Sequence, residues 1–347
     1  MVPTYRGRTR RRLPMKVPAA TRPKGGIVNI ARLACLMLAA ALAPLAWGQG
    51  TYPTRPIRVL VPFPPAQISD SVARAIGDGL RETLGQPVII ENKPGQAGSI
   101  GVAEFAKAPP DGYTLLLGAT AAFASNKFLY KTVTYDPLKD FQPITMISTT
   151  RLLLMVGAHV PAKNMAELVK IMKEQPDKLS YASSGYGTIS HMTMEAFKLA
   201  CNCGAVHVPF PGIAQSTTAM LGGHLDIMID AVFTATPYLK DGRIRPIAVP
   251  MPVRDPLLPD IPTFEELGFA GFGHTSWTAM FVPAGTPKPI VDTLNAAIVK
   301  IVSAPEFRKK FDGLNIVTST PEAAAKWIAD DYYYWGDIVK RANIKAE

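Results

Sequence analysis

The sequence is poor in cysteine and has no long run of apolar residues. Its 347 residues contain three cysteines, Cys35, Cys201 and Cys203. A fold built on a framework of disulfides needs more of them, so that class of protein is excluded. The most apolar stretch, residues 33–46, is shorter than the roughly 20 residues that a helix needs to cross a bilayer. The sequence therefore predicts a chain that is stabilised by an apolar core.

Acidic residues are absent from the first 48 positions, which carry nine of the 37 basic residues. A basic segment, then the apolar residues 33–46, then the small-residue pattern at 46–48 is typical of a cleaved export signal. We therefore expect residues 1–48 to be a signal peptide and the protein to be periplasmic. The remaining 28 basic residues nearly balance the 27 acidic ones. A net charge of +1 gives no support for nucleic-acid binding.

Motifs for nucleotide cofactors and for serine hydrolases are also missing. The sequence has no P-loop and no dinucleotide-binding glycine motif. Residues 183–187, SSGYG, have the wrong order for a nucleophile elbow. Ser190 with His191, and Ser184 with His207, leave hydrolysis as a weak alternative. Adjacent residues on a helix point about 100° apart, so Ser190 and His191 are not a nucleophile–base pair by themselves. We do not expect an enzyme.

Cys201 and Cys203 are separated by a single residue. A disulfide over one intervening residue requires a strained geometry, but an oxidising compartment permits it. With His207 the two cysteines are also a conceivable metal site, although the usual paired ligand spacing is missing. The sequence leaves the redox state of the two cysteines open, and we expect neither a metal nor a cofactor.

The chain is organised around its first strand–turn–helix unit. Residues 59–61 are an apolar strand, residues 63–68 a proline-rich turn, and apolar residues at helical spacing follow. Ser69 and Asp70 are predicted to cap the helix. The N-terminus of a helix presents free N–H groups and the positive end of the helix dipole, which suits a carboxylate.

The same order of elements recurs, which predicts an α/β protein with parallel strands. Residues 113–117 are a predicted strand followed by a loop at 118–120. Residues 179–182 are another strand, followed by a Gly/Ser-rich turn at 183–191 and a helix from Met192. Ligands bind at the carboxyl ends of such strands. We expect two units whose anion sites face each other across a cleft that closes by a hinge motion.

The chain after the leader resembles the periplasmic solute receptors of tripartite tricarboxylate transporters, the Bug (Bordetella uptake gene) family. The motifs that carry the resemblance are YPTRPIR (52–58), VPFP (61–64), ENKPG (91–95), PDGYTL (110–115), YDPLKDF (135–141), YASSG (181–185), HVP (207–209) and VPAGTP (282–287). The resemblance implies an α/β type II periplasmic-binding-protein fold, with two lobes around a central ligand cleft. Residues 51–150 plus 275–347 would form lobe 1, and residues 151–274 lobe 2.

The family resemblance also implies a function. The protein would capture a small organic carboxylate, close around it and deliver it to the membrane subunits of a transporter, acting as a monomer. A sensor or orphan receptor for a membrane signalling protein is the alternative, because both roles use the same closed surface. The aromatic face of the last helix, with Trp327, Tyr334 and Trp335, is expected to pack rather than to contact ligand.

Carried over by position, the resemblance implies two ligand-binding loops. Lobe 1 would supply Phe63, Ala66, Gln67, Ile68, Ser69, Asp70, Thr120 and Ala121. Lobe 2 would supply Ser183, Ser184, Gly185, Thr188, Ser190, His191, Phe210, Gly212, Ile213, Gln215 and Asp230. The lobe 2 hydroxyls would bind one carboxylate, and the lobe 1 loop would reach the other end of the ligand partly through water. Asp230 would either accept a hydrogen bond from a ligand ammonium or hydroxyl, or cap the following helix.

The sequence departs from the family pattern at both loops. Ala66-Gln67-Ile68 replaces a glycine-rich run, and Pro211 with residues 213–215 replaces a more polar turn. Fewer glycines leave less room for water and for close backbone approach. We therefore expect a carboxylate with an aromatic or apolar body, bound against a wall of Phe63, Ile68, Phe210 and Ile213. Alternatively, the altered first loop binds weakly or not at all.

Overall fold

The computed structural model describes residues 52–345 apart from residues 177 and 211. The predicted leader and Pro211 lie outside the described residues. The described chain is an α/β structure with one sheet of six strands and one of five. No helix in the described part is both long enough and apolar enough to cross a membrane.

The first sheet combines strands from both ends of the described chain. Its strands in spatial order are β11 (Asn315–Ile316), β4 (Phe141–Thr149), β10 (Trp277–Pro283), β3 (Thr114–Ala119), β1 (Ile57–Val61) and β2 (Val88–Asn92). β1 is parallel to β2 and β3, whereas β10 is antiparallel to β3 and β4. Because β1 and β3 are parallel, the loops that follow Val61 and Ala119 begin at the same edge of the sheet.

The second sheet uses the middle of the chain. Its strands in spatial order are β7 (Val206–Pro209), β6 (Ser180–Ser183), β8 (Ile227–Ala231), β5 (Leu152–Gly157) and β9 (Ile244–Ala248). β6 is parallel to β7 and β8, and β5 is antiparallel to β8 and β9. The carboxyl ends of β6, β7 and β8 therefore share one edge.

Helices cover both faces of each sheet. They are α1 (Ile68–Leu84), α2 (Ser99–Phe105), α3 (Asn126–Leu129), α4 (Met165–Glu174), α5 (Ile189–Cys201), α6 (Ile213–Leu221), α7 (Val232–Leu239), α8 (Lys288–Ser303), α9 (Pro305–Lys310) and α10 (Pro321–Arg341). A π-helical turn, Ala121–Ser125, precedes α3, and 3-10 turns lie at Gln96–Gly98 and Glu265–Leu267.

Alternate residues of the central strands belong to different core clusters. In β1, Val59 packs in one cluster and Leu60 in another, and in β5 the same holds for Leu154 and Leu153. Side chains of a strand alternate between its two faces, so both faces of each sheet are buried. This explains the continuous apolar runs at β1 and β5, which strict alternation of polar and apolar residues would not produce.

Two chain segments cross side by side between the sheets. The first joins β4 to β5, and the second leads from β9 to β10. The Thr150 N–H donates to the Ser276 carbonyl over 2.8 Å, and the Thr275 hydroxyl donates to the Thr150 carbonyl. Division into lobes at residues 151 and 275 stays a prediction, and these segments are the candidate hinge.

The cap predicted for α1 is wrong. The helix begins at Ile68 and its N-cap is Gln67, whose side chain makes no capping hydrogen bond. Ser69 and Asp70 therefore lie inside the first turn. The Asp70 carboxylate instead reaches back to the N–H of Ala66 over 3.0 Å. That contact still satisfies one backbone N–H in front of the helix, although from a different position.

Other element boundaries also differ from the predictions. β3 continues through Ala119 instead of ending at Leu117. α5 begins at Ile189 rather than Met192, because the polar residues before Met192 already form its first turn. β4, Phe141–Thr149, was not predicted. Pro143 and the hydroxyl residues interrupt its apolar pattern, but the strand is largely buried.

Cys201 and Cys203 form a disulfide at the end of α5. The alternative of a metal site with His207 is wrong, because both sulfurs are used in the bridge. Among the described residues, no group of three or more His, Cys, Asp or Glu side chains is arranged to bind a metal ion.

Candidate functional site

A cavity of about 370 Å³ lies between the two sheets. The start of α1 contributes Gln67, Ile68 and Ser69, and the start of α5 contributes Thr188 and Ile189. Each helix follows a strand of a different sheet, β1 or β6, so the cavity lies where both sheets present their carboxyl ends. This is the position at which α/β folds bind ligands.

None of the described residues that line this cavity carries a charge. Its polar lining is formed by hydroxyl side chains, among them Ser69, Ser125, Thr150, Ser184, Thr188 and Ser276. A helix N-terminus adds backbone N–H groups and the positive end of its dipole. The cavity can therefore stabilise an anion with neutral donors and dipoles.

The loop before α1 is stabilised by a buried carboxylate. Asp70 is 3% exposed and accepts from the N–H of Ala66, from Arg74 Nε and from Asn92 Nδ2, each over 2.9–3.0 Å. Asn92 also donates to the Phe63 carbonyl over 3.1 Å. The hydrogen bond from Arg74 is the main reason that the pKa of Asp70 is lowered to about 2. Asp70 thus fixes the loop and does not line the cavity.

Ala66 shows how the loop forms without the family's glycines. Its φ angle is +64°, in the left-handed region that favours glycine. The hydrogen bond from its N–H to Asp70 stabilises this backbone conformation. Ala66 itself does not line the cavity, whereas Phe63 and Gln67 on either side of it do.

Thr120 and Ala121, which belong to the predicted ligand-binding set, directly follow β3 and line the cavity. The Thr120 hydroxyl is already used, because it accepts from the Trp277 N–H over 2.7 Å and lies 3.3 Å from the Trp277 carbonyl. The Thr120 hydroxyl therefore joins the end of β3 to β10.

Hydroxyl groups stabilise the loop before α5. The Ser183 Oγ lies 2.7 Å from His207 Nε2 and accepts from the Gly185 N–H. The Ser190 Oγ accepts from the Ser184 N–H over 3.2 Å, and the Thr188 hydroxyl donates to the Gly185 carbonyl over 2.7 Å. The side chain of Ser184 makes no hydrogen bond within the described chain and lines the cavity, so its hydroxyl is available to a ligand.

His191 and His207 lie behind this loop as a stacked pair. Their ring centroids are 4.1 Å apart, and His191 Nδ1 accepts from the Gly187 N–H over 3.1 Å. Burial lowers the pKa of His191 to about 4 and also lowers that of His207. Both rings are therefore neutral near pH 7. His191 supports the loop and does not line the cavity, and the buried Ser183 beside His207 has no access to it.

The loop before α5 also contacts the π-helical turn Ala121–Ser125. The Ser125 hydroxyl donates to the Gly187 carbonyl over 3.4 Å. A Cβ atom at Gly187, whose φ is +73°, would lie 2.3 Å from Leu129 Cδ1. The positive φ angle therefore favours glycine at 187, where this loop approaches the side chain of Leu129 in α3.

A second cavity, of about 490 Å³, adjoins the first and shares Ile68, Ser184 and Thr188 with it. Ser190, Ile213 and Asp230 also line it. Asp230 is 8% exposed, and burial raises its pKa to about 6. Its carboxylate accepts from the Ala231 N–H over 2.6 Å, but Ala231 and not Asp230 is the N-cap residue of α7.

Several predicted residues lie away from both linings. Phe210 packs in the core cluster beneath the second sheet, so it is not part of an apolar wall at the cavity. Gly212 precedes α6, and Gln215 is exposed on that helix. The residues of the predicted set that line neither cavity are Ala66, Asp70, Ser183, Gly185, His191, Phe210, Gly212 and Gln215.

Sequence reasoning missed the contribution of the crossing segments and the tail. Thr150 and Ser276 reach the cavity from the crossing segments, Ser148 from the end of β4, and Trp277 and Trp335 from β10 and α10. Trp335 packs against the start of α5, as expected for the aromatic face of the last helix, and also lines the cavity. The available signal was the polar residues at the end of β4 and just before β10, where the chain passes from one sheet to the other.

A family model described as the tripartite tricarboxylate transporter family receptor matches residues 72–344. A protein of Pseudomonas sp. (strain P51), the UPF0065 protein in the tcbD-tcbE intergenic region, is 34% identical over 298 residues. That alignment covers 85% of this chain and 88% of the relative.

Solved structures give the same result. The periplasmic binding protein BugD is 33% identical with a TM-score of 0.68, over 85% of this chain and 100% of that one. Rpa4515 of R. palustris, solved with adipate, is 31% identical with a TM-score of 0.71, over 85% and 100%. MatC of Rhodopseudomonas palustris, with bound malate, is 31% identical with a TM-score of 0.68, over 83% and 100%.

These similarities confirm the predicted fold class, two α/β lobes of the periplasmic-binding-protein type. The matching proteins are receptors and binding proteins rather than enzymes, in agreement with the prediction.

Proposed function

This chain belongs to the receptor family of tripartite tricarboxylate transporters, and we propose that it captures a small organic carboxylate between its two lobes. The observation that carries the proposal is the uncharged cavity that α1 and α5 both meet with their N-termini. A carboxylate there gains backbone N–H groups and two helix dipoles without needing a cation.

We further propose that the ligand has an aromatic or apolar body. Phe63, Ile68 and Met192 line the first cavity, and Ile213 lines the second. Ile68, in the run that replaces the glycine-rich run of the family pattern, is 55% exposed. Covering such a side chain on binding removes apolar surface from water, at about 25 cal/mol per Å². Two similar proteins were solved with carboxylates of different lengths, adipate and malate.

The family and the leader support the remaining steps of the proposal. Residues 1–48 direct export to the periplasm, the lobes close about the crossing segments, and the closed monomer delivers its ligand to membrane subunits. The side-by-side hydrogen bonds of Thr150 with Ser276 and Thr275 support a hinge at that place.

Thermal unfolding of the chain from Gln49 onward, with a panel of aliphatic and aromatic carboxylates, tests the proposal. A ligand at 100 times its dissociation constant adds about 2.7 kcal/mol to the free energy of unfolding. At about 2.1 cal/mol/K of unfolding entropy per residue and about 300 residues, we expect the Tm to rise by roughly 4 °C. Acids with an apolar body should produce the larger shift.

Ser184→Ala supplies the matched variant. It removes a hydroxyl that is free to bind ligand, so the Tm shift should shrink while the Tm of the ligand-free protein stays the same. Ser303→Ala, at an exposed position at the end of α8, should leave both unchanged. Absence of a shift with every acid would contradict carboxylate capture. A tightly bound four-carbon dicarboxylate, with no binding of benzoate-type acids, would contradict the apolar body alone.

A further inference from the structure

Asp230 is a buried carboxylate that faces the second cavity. It lies at the end of β8, is 8% exposed and lines the cavity of about 490 Å³. Within the described chain its one hydrogen bond is from the Ala231 N–H, over 2.6 Å. An ionised carboxylate offers about four acceptor positions, so most of its hydrogen-bonding capacity is unused.

No cation of the described chain lies within 4.0 Å of Asp230. Arg151, at the start of the neighbouring strand β5, is directed to Asp255 instead, with Nε and Oδ2 3.4 Å apart. Lys310 and Asp312 line the same cavity from the first lobe, and both are exposed to solvent. Burial of an unpaired carboxylate costs free energy, which the raised pKa of Asp230, about 6, also reflects. The missing countercharge can be supplied by what enters the cavity.

The same cavity contains donors for a negative group. Ser184, Thr188 and Ser190 line it together with Ile189, the first residue of α5. A ligand that fills this cavity therefore meets donors at the helix N-terminus and an acceptor carboxylate on β8. A simple dicarboxylate would place a second negative charge beside Asp230, which the lack of a nearby cation disfavours.

Exposed apolar side chains form another part of the lining of the second cavity. Ile68, Ile213 and Phe233 line this cavity and are 55%, 36% and 46% exposed. They offer apolar surface to the part of a ligand that carries neither charge.

We propose that the ligand is an amino-substituted carboxylate with an apolar body, whose ammonium group binds Asp230 while its carboxylate binds the hydroxyls at the start of α5. The inference rests on the proposed function and narrows its substrate class. Asp230 then acts as the residue that selects the amino group.

Calorimetric titration with matched pairs of probes tests this assignment. The pairs are phenylalanine with 3-phenylpropanoate and leucine with 4-methylpentanoate, which differ only in the amino group, and 2-phenylethylamine lacks only the carboxylate. We expect at least one amino acid to bind tenfold or more tightly than its partner, and the amine without a carboxylate to bind weakly.

Asp230→Asn should lower the affinity for that amino acid tenfold or more and leave the affinity for its desamino partner the same or higher. Asp260→Asn is the matched control. It removes the same charge from an exposed position that lines neither cavity, where water screens it, so the affinity should change by less than about twofold.

The affinity of the wild-type protein for the amino acid, measured as a function of pH, gives a second test that does not depend on whether Asp230→Asn folds. Acidification from about pH 7 to about pH 5 protonates Asp230, so the affinity for the amino acid should fall. The ammonium and the carboxylate of the amino acid keep their charges over this range, so a fall in affinity reports on Asp230. An affinity that rises on acidification, or desamino acids that bind as tightly as amino acids, would overturn the inference and leave carboxylate capture intact. Failure of both classes to bind would overturn both proposals.

Discussion

The loop between β1 and α1 and the loop between β6 and α5 both bring a helix N-terminus to the cavity, but different interactions stabilise them. In the first loop, the buried carboxylate of Asp70 accepts from Ala66, Arg74 and Asn92. The second loop is stabilised by neutral groups: Ser183 is hydrogen-bonded to His207, and His191 accepts from the Gly187 N–H.

Because of this difference, the hydrogen bonds of the two loops contribute different free energies to stability, and these contributions respond differently to pH. Hydrogen bonds to a charged group contribute about 1.5 to 3 kcal/mol, whereas a neutral bond contributes about 1 kcal/mol. The first loop therefore depends on one ionised residue, and the second on several weaker bonds. Neither network places a charged side chain on the lining of the first cavity, so both leave it open to an anion.

Loss of the charged network should give the largest effect. Asp70→Ala leaves the Ala66 N–H without its acceptor and removes the acceptor of Arg74 Nε and one of the two acceptors of Asn92 Nδ2, so we expect about 3 kcal/mol less stability in urea unfolding. Binding of any carboxylate should weaken as well, because the start of α1 loses its support. Asp78→Asn, on the same helix with a side chain that is 73% exposed, should change stability by less than about 0.5 kcal/mol. Equal effects of the two variants would contradict the role given to Asp70.

A change of pH should distinguish the loops at a smaller magnitude. The pKa of His191 is lowered to about 4 in the folded protein. As the pH falls, His191 is therefore protonated in the unfolded chain before it is protonated in the folded protein, and stability falls from about pH 6.5 toward pH 4. Asp70 loses its contribution only below about pH 4. The raised pKa of Asp230 acts in the opposite direction, because the folded state binds that proton more readily.

A difference between variants therefore isolates the contribution of His191. From about pH 7 to about pH 5, we expect the wild-type protein to lose about 1 to 2 kcal/mol more stability than His191→Gln. His224→Gln, at an exposed position, should follow the wild-type curve. Parallel curves for wild type and His191→Gln, measured by urea unfolding at each pH, would show that His191 does not set the acid response of the second loop.

The unequal chemistry of the loops also explains what the sequence could predict. The family follows from short motifs, and the fold class follows from repeated strand–turn–helix units, because both depend on local patterns. The helix starts at the cavity were located to within three residues: Ile68 is the first residue of α1, and Ile189 rather than Met192 is the first of α5.

Side-chain direction was not predictable in the same way. Asp70 and Ser183 have the residue types of ligand-binding groups, but each is used in fixing its own loop. Trp335 and Ser276 reach the cavity from segments more than 80 residues away from either loop. Such contacts depend on how β10 and α10 return to the first sheet, and periodicity carries no information about that. Asp230 was predicted in two roles, and the structure assigns the N-cap position to Ala231 instead.

Substitution of two adjacent serines of the second loop should give the smallest change in stability, and only one of the two substitutions should cause it. Ser183→Ala removes the bond to His207 and the acceptor of the Gly185 N–H, so stability should fall by about 1 kcal/mol. Ser184→Ala removes a hydroxyl with no partner in the described chain, so stability should stay the same while carboxylate affinity falls. Urea unfolding and calorimetric titration of both variants measure the two effects. If Ser184→Ala destabilised the protein as much as Ser183→Ala, the division between a supporting and a ligand-binding hydroxyl would be wrong, and the second loop would be one cooperative network.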